Sequence, residues 1–172
     1  MTFNQLENTL PQILKDKLED LKSYKENPQY HPEDNCYIHI QTVTERCIST
    51  NISELICCGI LHDICKKDSS RINTKTGFNM SPGHEDYACR LINNNQDIKD
   101  WIINFMKADL DMVIYLVNNH MRIKQMSQMR QHKQDIMTSH PWFKYLVVFN
   151  GFDNMICNQE QVDYFINAGL KL

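Results

Sequence analysis

Six side chains that bind cations stand where a helical sequence should be apolar: His39, His62, Asp63, His84, His120 and Asp153. His39 falls within the helical spacing of Cys36, Ile40, Val43 and Cys47. His62 and Asp63 end a nearly unbroken apolar run, Leu55, Ile56, Cys57, Cys58, Ile60 and Leu61. His84 follows Ser81-Pro82, His120 continues the face of Val113, Leu116 and Val117, and Asp153 continues that of Trp142, Leu146 and Phe149. Singly, an inward histidine is most often a hydrogen-bonded core residue, and a buried carboxylate can be neutralised by any partner. Four histidines and two aspartates converging in one small helical domain are hard to satisfy without a cation. Mixed imidazole and carboxylate ligands suit Mn, Fe, Co, Ni or Zn, and Mg with more waters. The absence of Cys from the set argues against a structural zinc site. One or two divalent ions are therefore the expected cofactor.

Helices must position these groups. Leu14, Leu18 and Leu21 predict an N-terminal helix, and the Cys36–Cys47 spacing predicts a second, capped by Asp34 or Asn35. Ser53 is the expected cap of a helix over 54–65 that is apolar almost all round, hence central and buried. Its C-terminal end carries partial negative charge and favours a cation, which rationalises His62 and Asp63 there. Gly59, one turn earlier, either lets a neighbouring helix approach closely or is a neutral packing glycine. Ser81-Pro82 reads as an N-cap followed by Pro at the first helical position, with Tyr87, Ala88, Leu91 and Ile92 facing inward. Ile98, Trp101, Ile102 and Phe105 follow at i, i+3, i+4, i+7, and His140-Pro141 opens a last helix with Trp142, Tyr145, Leu146, Phe149 and Ile156 on one side.

With alternating patterns almost absent, the fold class is all-α, a bundle of about seven to eight helices. A single domain over 1–172 is expected: an N-terminal helical segment (1–27), a metal-site core (28–157) and a C-terminal helix (158–172). The polar loop 66–81 reads equally as a lid or as a plain connector.

Composition narrows the function classes. A net charge of −3 gives no general pull towards nucleic acid or anionic membrane. No apolar run approaches the ~20 residues that span a bilayer, and "MTFNQLENTL" lacks the features of a signal peptide. Seven cysteines without a CxxC pair read as buried thiols in a reducing compartment, so the expected location is cytoplasmic.

The ordered set His39, His62-Asp63, His84, His120 and Asp153 resembles the HD superfamily of metal-dependent phosphohydrolases over roughly residues 28 to 157. "YHPEDNCYIH" (30–39) resembles the segment before the first His in the HD domain of tRNA nucleotidyltransferases and poly(A) polymerases. "LHDICK" (61–66) resembles the HDxxK element, with Cys65 where a glycine is usual. "GHE" (83–85), "NHMR" (119–122) and "FNGFDNM" (149–155) resemble the later motifs. The resemblance implies that His39, His62, Asp63 and Asp153 hold a first metal, and that Asp63 bridges to a second completed by His84 and His120. It implies that Lys66, otherwise a surface lysine, contacts substrate phosphate. Arg122 is a further candidate for a phosphate oxygen, and Glu33 for orienting a water or a ligand. The nucleotidyltransferase head domain has no counterpart ahead of His39, and Asp109-x-Asp111 lacks the Gly-Ser loop of a polymerase site, so a stand-alone HD domain is expected.

That family implies hydrolysis of a nucleotide or phosphoester, such as a cyclic phosphodiester, an RNA end or a nucleoside phosphate, by metal-activated water with Asp63 and Lys66 as catalytic residues. The same six ligands are also similar to those of HD-fold mixed-valent diiron oxygenases. A third reading is a non-catalytic RNA- or partner-binding module, for which "MRIKQMSQMRQHKQ" (121–134) supplies basic residues, although a solvated helix face is the better account of them because acidic residues outnumber basic ones in the chain.

Overall fold

The computed structural model describes residues 1–28 and 35–154. Glu33, Asp34, Ile156 and the expected C-terminal helix over 158–172 lie outside the described residues. Among the described residues the fold is all-α apart from one short hairpin. Among the described residues the α-helices are α1 (Phe3–Thr9), α2 (Gln12–Leu21), α3 (Cys36–Ile48), α4 (Ser53–Leu61), α5 (His84–Asn94), α6 (Gln96–Asp100), α7 (Leu110–Lys124), α8 (Gln131–Thr138) and α9 (Phe143–Asp153). The count exceeds the expected seven to eight because α1, α6 and α8 are short segments set off by interruptions of the helix at Leu10-Pro11, Asn95 and Met129-Arg130. None of these helices is long and apolar enough to cross a membrane.

The central post is α4. Every residue from Leu55 to Leu61 is buried, and it packs against α3, α7 and α9. Gly59 lets α3 come this close. A Cβ there would lie 2.9 Å from both the Cα and the Oγ1 of Thr44, closer than non-bonded carbons sit. Regular helix stops at Leu61 rather than at residue 65, and His62 to Ser69 continue as tight turns with i→i−3 bonds such as Lys66 N–H to Asp63 O. Ser53 does not cap α4. Ile52 takes the N-cap position with extended backbone, and Glu54 supplies the first-turn negative charge that the dipole favours.

On α3, Asn35 is the cap: its Oδ1 accepts from Ile38 N–H at 3.0 Å. Cys36, His39, Ile40, Val43 and Cys47 are all buried. The α5 start differs from expectation. Gly83, at φ +73°, forms the N-cap, a left-handed conformation that glycine adopts without strain. The helix therefore opens on His84, and Ser81 Oγ instead meets Tyr24 Oη at 2.6 Å. Ala88 and Ile92 face the core while Tyr87 is exposed, its ring lying against the Arg90 guanidinium.

Phe105 is also exposed, against expectation. Trp101–Phe105 forms a π-helical turn, closed by Met106 N–H to Trp101 O. The wider turn carries residue 105 off the stripe of Ile98, Trp101 and Ile102. Asp109 is an N-cap for α7, accepting from Asp111 and Met112 N–H, so its acidic pair with Asp111 has a structural role. Within 66–81 lies a hairpin, Arg71–Ile72 (β1) paired with Asn79–Met80 (β2). It is tied down by Asn79 Nδ2 to Lys25 O at 2.8 Å and by Ser70 and Ser81 to Tyr24 Oη.

Candidate metal centre

Five elements bring the six sequence-predicted ligands to one buried place. His39 comes from α3, His62 and Asp63 from the end of α4, His84 from the start of α5, His120 from α7 and Asp153 from the end of α9. All six are 5% exposed or less. The α9 end is held by Arg46, whose guanidinium donates to Phe152 O at 2.7 Å.

The six side chains form two triads that could each hold a metal ion, His39–His62–Asp153 and Asp63–His84–His120. In the first, His39 Nε2 lies 3.1 Å from Asp153 Oδ1 and 3.3 Å from His62 Nε2, and His62 Nε2 lies 3.8 Å from Asp153 Oδ1. In the second, Asp63 Oδ1 lies 2.9 Å from His84 Nε2 and 3.7 Å from His120 Nε2, and the two imidazole nitrogens are 3.1 Å apart. Asp63 Oδ2 faces the first triad, 3.3 Å from His62 Nε2 and 3.5 Å from His39 Nε2.

These spacings fit a metal. Ligand atoms at bond lengths near 2.1 Å around one ion are separated by about 3.0 Å in octahedral and about 3.4 Å in tetrahedral geometry. The tautomers fit as well. His62 Nδ1 lies 2.9 Å from Gly59 O, His84 Nδ1 2.7 Å from Ser81 O, and His120 Nδ1 2.7 Å from Val117 O. A carbonyl only accepts, so each Nδ1 carries the proton and each neutral ring turns a lone pair inward. Two such lone pairs at 3.1 Å repel unless a cation, a proton or a metal, sits between them.

Charge in the site is set by two lysines. Lys66 is only 4% exposed; its ammonium lies 2.8 Å from Asp63 Oδ2 and 2.5 Å from Glu26 Oε2. It is not the surface lysine of the alternative reading. Lys124 Nζ lies 2.6 Å from Asp153 Oδ2. Burial opposes ionisation of Asp63, but His62 and Lys66 outweigh it and hold its carboxyl well below the usual range. Burial likewise opposes ionisation of Asp153, and Lys124 and His39 outweigh it there. For His84, burial pushes the pKa down but the neighbouring Asp63 outweighs it, and the net shift is upward. For His120 burial prevails and the pKa is lowered.

The centre opens on a cleft of about 470 Å³. Its floor carries Asp63, Lys66, His84 and Lys124, and one wall is the hairpin, with Asn73, Thr76, Phe78 and Asn79. Arg122 does not line this cleft; it lies on a different cavity, away from the triads. The expected phosphate contact from Arg122 is therefore not placed at the metal centre, because α7 turns residue 122 away from the face that carries His120. Lys124, one helical turn past His120 and on its face, lines the cleft instead, and Glu26 joins through Lys66. Sequence reading singled out neither: Lys124 sat within the basic stretch, and Glu26 is far from Lys66 in the chain.

No family model matches the chain, and no significant match is found among curated proteins or solved structures.

Proposed function

We propose that this chain is a metal-dependent phosphohydrolase of the HD type, acting on a nucleotide or another phosphoester. The observation that carries the reading is Asp63, whose Oδ1 stands with His84 and His120 while its Oδ2 faces the His39–His62–Asp153 triad, in a cleft whose cations are Lys66 and Lys124. His39, His62 and Asp153 with Asp63 Oδ2 would hold one ion, and Asp63 Oδ1 with His84 and His120 a second. Bound there, divalent ions supply Lewis acidity and a water acidic enough to ionise near neutral pH.

The protein's own groups do the rest. The Nδ1–H bonds of His62, His84 and His120 fix ring orientation and leave each Nε2 free to ligate. Lys66 and Lys124 place positive charge where a phosphate's non-bridging oxygens would lie, and the α5 N-terminus at the cleft adds its partial positive charge. Asn73, Thr76 and Asn79 offer neutral hydrogen-bonding groups, and Phe78 an apolar face, to the organic part of the ester.

The test is hydrolysis of cyclic nucleotides, nucleoside phosphates and bis(p-nitrophenyl) phosphate, with Mn, Co, Ni, Mg and Fe supplied separately. Turnover that needs a metal and disappears in Asp63→Asn supports the reading. Absence of turnover from protein shown to carry metal, together with O₂ consumption on an organic substrate, would replace it with oxygenase chemistry.

A further inference from the structure

A second cavity, of about 590 Å³, lies on the other side of α7. Tyr115, Asn119 and Arg122 line it from α7 at i, i+4 and i+7, the face opposite Val113, Val117 and His120. Lys133 and Met137 from α8 and His140 close it. The helix itself therefore stands between this cavity and the metal triads.

Three features mark it as a built site. The Tyr115 ring is stacked on His140, with centroids 3.9 Å apart and planes 10° from parallel, and Trp142 packs at a steep angle to both. The Tyr115 hydroxyl is buried and has no hydrogen-bond partner among the described residues, a costly state that a ligand can relieve. Arg122 and Lys133, both on the cavity, form no ion pair with any described residue. Two exposed cations at the cavity rim, a buried phenol with no partner among the described residues and an aromatic wall together match an anion that carries a flat ring. The volume far exceeds what a bare phosphate fills, and the aromatic and methionine surface suits a flat ring.

We propose that this cavity binds a nucleoside monophosphate, its phosphate between Arg122 and Lys133 and its base against the Tyr115, His140 and Met137 surface. The ligand can be a free nucleotide or the phosphorylated end of an RNA strand, since both present the same group. The proposal does not rest on the metal centre.

The experiment is calorimetric titration of full-length, chelator-treated protein with AMP, UMP, adenosine and inorganic phosphate. AMP should bind more tightly than adenosine or phosphate. Arg122→Gln and Lys133→Gln, whose folding is checked by circular dichroism, should each weaken AMP by about tenfold, the loss of one charged contact. Lys99→Gln, on α6 and on neither cavity, should leave AMP binding unchanged. Displacement of AMP by a short 5′-phosphorylated oligonucleotide would assign the site to strand ends, and failure to displace it would assign it to the free nucleotide. No binding at millimolar AMP, equal binding of phosphate and AMP, or binding kept in Arg122→Gln and lost in Lys99→Gln would overturn the proposal.

Discussion

The Nε2 atoms of His84 and His120 lie 3.1 Å apart although both rings give their Nδ1–H to a backbone carbonyl. Without a cation between them the approach is repulsive, and the metal-free protein can satisfy it only with a proton. Asp63 makes His84 the ring that takes it, raising its pKa while burial lowers that of His120.

A metal held at the proposed centre would therefore compete with a proton at His84. Its raised pKa means the proton is held above the ordinary histidine value, so metal affinity should begin to weaken already above about pH 6.5 as pH falls. In the metal-free protein the same shift stabilises the fold fully below the unfolded pKa, and that contribution is lost as pH rises through the folded value. Chemical-shift titration of the histidines in chelated protein checks this. A His84 titrating below His120 would contradict it.

Asp63 and Asp153 act in the opposite direction. Both are held well below the usual carboxylate range, so their stabilisation is present above about pH 3.8 and disappears as pH falls through the depressed values. Acid unfolding monitored by far-UV circular dichroism should move to higher pH in Asp153→Asn.

Lys66→Met removes a buried cation from between Asp63 and Glu26. Breaking such a pair costs about 3–5 kcal/mol, and the loss should be largest without metal, since a bound ion compensates Asp63. Thermal unfolding with and without Mn²⁺ measures the difference. Hydrolysis by the folded variant should fall roughly a hundredfold.

Gly59→Ala should damage the site from a distance. The new methyl meets the Thr44 backbone at 2.9 Å, and forcing α3 from α4 costs about 1–3 kcal/mol. These helices carry His39 and His62, so metal affinity should drop with stability. Adding Thr44→Ala should restore neither, because the clash with the backbone of residue 44 persists whatever side chain stands there.

The convergence of the six buried side chains was legible in the sequence because burying imidazole and carboxylate on apolar helix faces is costly, and the helical period shows which face each residue occupies. The faces of His39, His120 and Asp153 are as the spacing predicts. Features that depend on local backbone were not legible. A π turn displaced Phe105, a left-handed Gly83 moved the start of α5, and the polar 66–81 stretch concealed a hairpin that walls the cleft. Pairings between distant segments were equally hidden, as with Glu26 and Lys66. Arg122 was misplaced for a simpler reason: adjacency to His120 in sequence is a rotation of about 100° per residue on a helix, so neighbours do not share a face.

The most direct test of the central claim is metal stoichiometry. Chelated full-length protein would be titrated with Mn²⁺, and the bound ions counted beside Asp63→Asn and Asp153→Asn. Two ions per chain in the wild type, with Asp63→Asn impairing both and Asp153→Asn chiefly one, is the predicted result. A folded wild-type protein that binds no ion, or binds equally well without the Asp63 carboxylate, would contradict a centre built around that residue.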